Sequence, residues 1–98
     1  MAKSKHQQRP LESATQAKII RRMQADGWLC VRLIQTNCNG IPDLLCLKDG
    51  SARFIEVKRR GEQPRPLQLY RHQQLRQAGF IVEVMNEQSV EAWDSSRG

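Results

Sequence analysis

Hydrophobic residues recur with two different periods along the chain, and each change of period predicts a new element. Between residues 11 and 25 they recur at roughly helical spacing, which predicts an amphipathic helix ending at Asp26-Gly27. A second helix is predicted over Pro66–Ala78, because proline favours a first helical turn and Gly79 can end the helix. The residues expected to face the core are Leu11, Ala14, Ile19, Ile20 and Met23 in the first helix, and Leu67, Tyr70, Leu75 and Ala78 in the second.

Four further segments are rich in β-forming residues. Two of them flank Lys48-Asp49-Gly50-Ser51, a strong turn signal that predicts an antiparallel hairpin. Ser89 is expected to cap a short final helix that runs through Trp93. The four predicted strands are Trp28–Ile34, a segment opening at Gly40, a segment closing at Lys58, and Phe80–Met85.

The predicted order is helix, three strands, helix, strand and short helix, which is an α/β fold with a small mixed sheet flanked by helices. The path from the hairpin through the second helix to the last strand is expected to be a crossover unit. We expect one domain over residues 11–93, with a flexible basic tail at residues 1–10 and a polar tail at residues 94–98. A chain of 98 residues has a core just large enough to fold alone.

Lys and Arg outnumber Asp and Glu by 16 to 10, which gives a formal charge of +6. This excess favours a polyanionic partner such as nucleic acid, although it could serve solubility alone. An aromatic content of 5% argues against a single-strand binder that stacks bases. No apolar run approaches the roughly 20 residues that span a membrane, and the N-terminus lacks a secretory signal. We expect a cytoplasmic protein of a bacterium or of a phage-infected host cell.

The hairpin is expected to bring three charged side chains together. Glu56 and Lys58 lie on one face of their strand because side chains alternate, and folding about the turn brings Asp43 near them. Mg²⁺ typically binds one or two carboxylates with water and substrate phosphate, so Asp43 and Glu56 could hold it, with the Val57 carbonyl adding an oxygen. Lys58 could orient a metal-bound water or stabilise developing negative charge. Each residue alone is more often structural, but together they favour metal-dependent attack on a phosphodiester.

These residues carry a family resemblance. Pro42-Asp43 followed by Glu56-Val57-Lys58 is similar to the signature of the PD-(D/E)XK nucleases. More narrowly, Gly40-Ile41-Pro42-Asp43-Leu44-Leu45 with Ile55-Glu56-Val57-Lys58 resembles the VRR-NUC family, the virus-type replication-repair nucleases. Glu12 at the start of the first helix and Gln68 near the start of the second agree with the same family. The resemblance covers about residues 12–85.

The resemblance implies a restriction-endonuclease-like core and a DNA endonuclease that depends on Mg²⁺ or Mn²⁺. It implies catalytic roles for Asp43, Glu56 and Lys58, with Glu12 as a supporting acid and possible metal ligand. Without it, Glu12 would be a favourable acid in a first helical turn. Gln68 would be a surface amide able to hydrogen-bond a phosphate or a catalytic water. The chain resembles the free-standing, phage-type members, which tend to be homodimers acting on branched DNA such as four-way (Holliday) junctions.

Several basic residues are candidates for phosphate contacts that position DNA. Those expected to bind DNA are Arg59, Arg60 and Arg65 in the connector after the hairpin, and Arg71 and Lys18 on the helices; Arg32 and Arg53 are weaker candidates. His72 is expected on the exposed side of the second helix as an ordinary surface residue. Two alternatives stay open: a nuclease of linear duplex or flap DNA, and a basic DNA-binding module without catalysis.

Overall fold

The computed structural model describes residues 12–97, with side chains as far as residue 93. The predicted tail at residues 1–10 lies outside the described residues, as does Leu11. In chain order the elements are α1 (Glu12–Ala25), β1 (Leu29–Arg32), β2 (Leu44–Lys48), β3 (Ser51–Val57), α2 (Pro66–Gln77), β4 (Ile81–Met85) and α3 (Glu87–Arg97). The predicted α/β order is therefore confirmed.

The strands form one mixed sheet in the order β1-β2-β3-β4. β1 pairs with β2, and β2 with β3, in antiparallel fashion, whereas β3 and β4 are parallel and joined through α2. The hairpin turn has φ of 49° at Asp49 and 78° at Gly50. Positive φ at both central residues matches the twist of paired strands, so the predicted hairpin and crossover are both confirmed.

The core lies between the sheet and the two helices α1 and α3. Ile19 and Met23 of α1 are fully buried, as predicted, but Thr15 is buried where Ala14 was expected. Residues 15, 19 and 23 are spaced by four, so they project from one side of the helix. The buried apolar cluster comprises Ile19, Met23, Leu44, Cys46, Ile55, Val57 and Val90, with Trp28 and Trp93 at its margin.

α3 begins earlier than predicted because Asn86, and not Ser89, caps it. Asn86 Oδ1 accepts the backbone N–H groups of Gln88 and Ser89 at 2.8 and 3.2 Å. Ser89 Oγ in turn accepts the N–H of Asn86 at 3.1 Å, which completes a reciprocal cap. The helix continues to Arg97, within the segment predicted as a polar tail.

α2 presents a different face to the sheet from the predicted one. Leu67 and Tyr70, expected in the core, are 45% and 53% exposed, whereas His72, expected on the surface, is 1% exposed. The helix lies beside β4 and over Glu56 of β3, so its inner face meets a carboxylate. A buried carboxylate needs hydrogen-bond partners, and this need reverses the usual placement of apolar and polar residues. Within residues 12–97, no helix combines the length and apolar content needed to cross a membrane.

Candidate active site

Asp43 and Glu56 meet where β2 begins and β3 ends. Leu44 pairs with Ile55, so continuing the register by one residue places Asp43 opposite Glu56. The Asp43 carbonyl accepts the N–H of Leu33 at 2.8 Å, and Asp43 Oδ2 accepts the N–H of Val57 at 2.7 Å. Backbone contacts to both neighbouring strands therefore hold the Asp43 carboxylate at this end of the sheet.

A cavity of 340 Å³ opens at the same end of the sheet. Lys58 enters it directly after β3, and its backbone N–H donates to the Met85 carbonyl at 2.9 Å. This bond extends the pairing of β3 with β4 and fixes the origin of the lysine side chain. The lining residues are Glu12, Asp43, Glu56, Lys58, Glu62, Gln63, Arg65 and Gln68, which include all five predicted catalytic positions.

Two side chains of α2 hold the carboxylate of Glu56, which is 1% exposed. Gln68 Nε2 donates to Glu56 Oε2 at 3.1 Å, and His72 Nε2 lies 3.1 Å from Glu56 Oε1. The other end of the Gln68 amide accepts the N–H of Arg65 at 2.8 Å. Because Gln68 caps α2 through its oxygen, its nitrogen is turned toward Glu56.

The electrostatics of the cavity reflect crowded carboxylates, of which Glu56 is buried and the others are partly buried. Burial and the charge of Asp43 raise the pKa of Glu56 to about 8, while Lys58 opposes the rise. Burial also raises the pKa of Glu12, an effect opposed by Lys58 and reinforced by Glu62. Burial and the charges of Arg76 and Lys58 lower the pKa of His72. A cation in the cavity would relieve the repulsion between these carboxylates.

Three residues near the carboxylates were missed by sequence reasoning. Glu62 and Gln63 line the cavity although their segment was predicted as a flexible connector. Glu62 Oε1 accepts the N–H of Arg59 at 3.1 Å, so the connector folds back on itself beside Lys58. His72 was assigned to the surface. Its only sequence signal was a spacing of four residues from Gln68, which places both on one helix face.

The predicted DNA contacts are not gathered in one place. Of the five, Arg65 alone lines the cavity. Arg60 forms an ion pair with Glu87, with 3.4 Å between Nε and Oε2. Arg71 Nε donates to the Asn39 carbonyl at 2.7 Å and so joins α2 to the loop before β2. Lys18 is exposed on α1 and lines a separate groove.

The donor set suits a hard divalent cation. Asp43 and Glu56 offer carboxylate oxygens close together, and Glu12 lines the same cavity. Among the described residues, no group of three or more His, Cys, Asp and Glu side chains forms a ready metal cage. Mg²⁺ typically keeps several waters and takes only one or two carboxylates. The arrangement therefore fits a hydrated Mg²⁺-type ion better than a closed zinc site.

The mixed sheet and its end cavity with paired acids and a lysine define a nuclease of the PD-(D/E)XK class. Comparison with known proteins agrees. The VRR-NUC domain model matches residues 3–88, and the chain belongs to the VRR-NUC family. This is a family of nucleases, generally dependent on divalent metal. The family expected from the segments Gly40–Leu45 and Ile55–Lys58 is thus confirmed.

Two relatives illustrate the match. A protein of Acyrthosiphon pisum secondary endosymbiont phage 1, named "Putative nuclease p44", is 29% identical over 80 residues, covering 81% of this chain and 86% of its own. A solved structure described as a VRR_NUC domain is 32% identical with a TM-score of 0.74, covering 86% of this chain and 94% of its own. The likeness therefore extends over most of each molecule.

Proposed function

We propose that the protein is a metal-dependent DNA endonuclease that hydrolyses phosphodiester bonds in branched DNA as a homodimer. The observation that carries this proposal is the convergence of Glu12, Asp43, Glu56, Lys58 and Gln68 on one cavity. Phosphodiester hydrolysis needs a nucleophilic water, neutralised charge at phosphorus and a stabilised leaving oxygen. The cavity supplies acidic ligands and a cation for these tasks.

In this mechanism Asp43, Glu56 and the Val57 carbonyl would hold Mg²⁺ or Mn²⁺, with Glu12 as a supporting acid. When bound, the ion would lower the pKa of a water and polarise the scissile phosphate. Lys58, which lines the same cavity, would orient the attacking water and offset negative charge developing on the phosphate. Gln68 keeps Glu56 in place, and Arg65 at the cavity wall contacts the DNA backbone.

An apolar face that no other part of residues 12–97 covers supports the homodimer. Leu29, Val31 and Leu47 share one face of β1 and β2 and are 62%, 38% and 37% exposed. α1 and α3 pack on the opposite face, and α2 lies over β4. These three side chains are apolar, so two copies could meet there about a two-fold axis despite the net charge of +6. Two related cavities would account for paired cuts in a symmetric branch.

Cleavage of defined DNA substrates tests the proposal. A four-way junction, a flap, a linear duplex and a single strand are each incubated with the protein in Mg²⁺, Mn²⁺ or EDTA. We expect paired cuts in the junction with either metal and none in EDTA. Preferential cutting of flaps or linear duplex would replace the substrate assignment. DNA binding without cutting in either metal would identify a binding module.

The dimer is tested by light scattering on wild type and Leu29→Asp. A charge on the apolar face should shift the mass toward that of the monomer and abolish paired cuts. Gln73→Asp, on the exposed side of α2, is the matched control and should stay dimeric. A wild-type monomer, both free and with DNA bound, would contradict this part of the proposal.

A further inference from the structure

His72 has an environment that a surface histidine lacks. It lies one helical turn after Gln68 on the inner face of α2 and is 1% exposed. Its Nε2 atom is 3.1 Å from Glu56 Oε1, while Gln68 holds Oε2 of the same carboxylate. Each oxygen of Glu56 therefore has its own partner on α2.

The position would suit an apolar residue if packing alone mattered. α2 carries Leu67, Leu69 and Tyr70, yet all three are about half exposed while an imidazole occupies the interior. Burying a polar group costs free energy unless it forms hydrogen bonds. The partner that offsets this cost is Glu56, so His72 and Glu56 stabilise each other within the interface of α2 with the sheet.

The geometry points to His72 as a positioning residue for the metal-ligating carboxylate of Glu56. The inference rests on the proposed function, in which Glu56 is a ligand. A ligating carboxylate is ionised and can only accept hydrogen bonds, so His72 must donate through Nε2–H. With one partner on each oxygen, the carboxylate of Glu56 cannot rotate freely, and it lines the cavity in one fixed orientation. Partners behind a ligand typically change metal affinity or activity by about 10–100-fold.

Three substitutions separate donation from packing. His72→Gln can place an amide N–H near the original Nε2, His72→Asn is polar but too short to reach Glu56, and His72→Leu keeps bulk without a donor. The readout is Mn²⁺ affinity without DNA, from the loss of the free-ion electron paramagnetic resonance signal as MnCl₂ is added. We expect affinity within about 3-fold of wild type for His72→Gln, and about 10-fold weaker binding for the other two.

Cleavage rates at varied Mn²⁺ should follow the same order, with the Asn and Leu variants needing more metal for half-maximal rate. Circular dichroism and melting curves establish that each variant is folded. The inference is overturned if a folded Asn or Leu variant binds Mn²⁺ like wild type, or if the Gln variant is as weak as the Leu variant. Should the Leu variant not fold, the comparison of Gln with Asn decides alone.

A measurement on the wild-type protein needs no substitution. ¹⁵N NMR of the His72 ring with MgCl₂ present identifies which nitrogen carries the proton. We expect Nε2 to be protonated and Nδ1 to be unprotonated. The opposite tautomer could not donate to Glu56 and would overturn the inference. A wild type that neither binds Mn²⁺ nor cuts DNA would instead sink the proposed function, so the two failures are distinguishable.

Discussion

At the scale of single residues, the candidate site depends on charged groups that are largely removed from water. Glu56 is 1% and Lys58 9% exposed, although charged side chains are rarely buried without partners. Opposite charges in such surroundings interact more strongly than in solvent. A small displacement of either residue should therefore change their interaction more than it would at an exposed site.

Lys58→Ala should abolish most cutting while leaving DNA binding nearly intact. Removing one group that stabilises the transition state typically lowers the rate about 10²–10³-fold, whereas phosphate contacts elsewhere retain the substrate. Single-turnover cleavage and filter binding measure the two effects separately. Arg21→Ala, which removes an exposed cation from α1, is the matched control. Cutting at the wild-type rate by Lys58→Ala would show that the site is misassigned.

At the scale of elements, the contact between the loop before β2 and the start of α2 holds the two halves of the cavity together. Gly40 has φ of 84°, and a Cβ built there would lie 2.8 Å from Leu67 Cγ and 3.1 Å from the Leu67 carbonyl oxygen. Arg71 reinforces the same contact through the Asn39 carbonyl. The loop leads into Asp43 and the helix carries Gln68, so their approach sets the width of the site.

Gly40→Ala should destabilise the protein more than Gly50→Ala. Both positions have positive φ, which costs a residue with a side chain about 1–3 kcal/mol. The Cβ at Gly40 would also press on Leu67, whereas nothing lies within 4 Å at Gly50. We expect an additional loss of about 1 kcal/mol in the free energy of unfolding, measured by urea denaturation. If both substitutions lower the free energy of unfolding equally, then α2 can shift away from the added Cβ at position 40 without loss of stability.

The elements themselves were largely predictable from sequence, since helix stops, the hairpin turn and the β-rich segments are local signals. The inner face of α2 was not. Hydrophobic periodicity assumes an apolar interface, but α2 meets the buried carboxylate of Glu56, and residues 68 and 72 serve it. The N-terminal cap of α3 at Asn86 was also missed, because Ser89 is an equally good capping residue by type.

At the scale of the whole molecule, the basic residues that give the charge of +6 lie in different surroundings, and only some are free to contact DNA by position. Arg65 faces the cavity, while Arg53 is engaged in an ion pair with Glu83 and lies over the ring of Trp28. Only cations that neutralise phosphates release counterions from DNA. We therefore expect the position of a basic residue to decide whether it contributes to DNA binding.

Arg65→Ala should weaken DNA binding and reduce the slope of log affinity against log salt by about 1. Arg53→Ala removes the same charge from a residue already paired within the protein and should leave the slope unchanged. Fluorescence anisotropy with a junction at several salt concentrations, in EDTA to prevent cutting, measures both. If the two substitutions lower the slope equally, binding depends on overall charge and not on the cavity.

Divalent metal should stabilise the folded protein as a whole. At about ten times its dissociation constant, a ligand specific to the folded state contributes about 1.4 kcal/mol, or roughly 6–11 °C in melting temperature for a domain of this size. We expect the melting temperature to be higher in MgCl₂ than in EDTA by this amount for wild type. The same rise is expected for the control Glu91→Gln, because Glu91 is an exposed acid on α3. It should be lost in Glu56→Gln. A rise that persists in Glu56→Gln would place the ion elsewhere.

The sequence by itself determined the order of elements, the family, and the grouping of Asp43, Glu56 and Lys58, because strand alternation and a short turn bring these three residues together locally. Only the tertiary structure decided what surrounds them. Glu62 reaches the cavity through the folding back of its connector, and His72 reaches Glu56 across the interface of α2 with the sheet. Such contacts depend on how elements pack. Packing is decided by which surfaces the whole chain buries. The hydrophobic pattern of a single segment therefore cannot predict it.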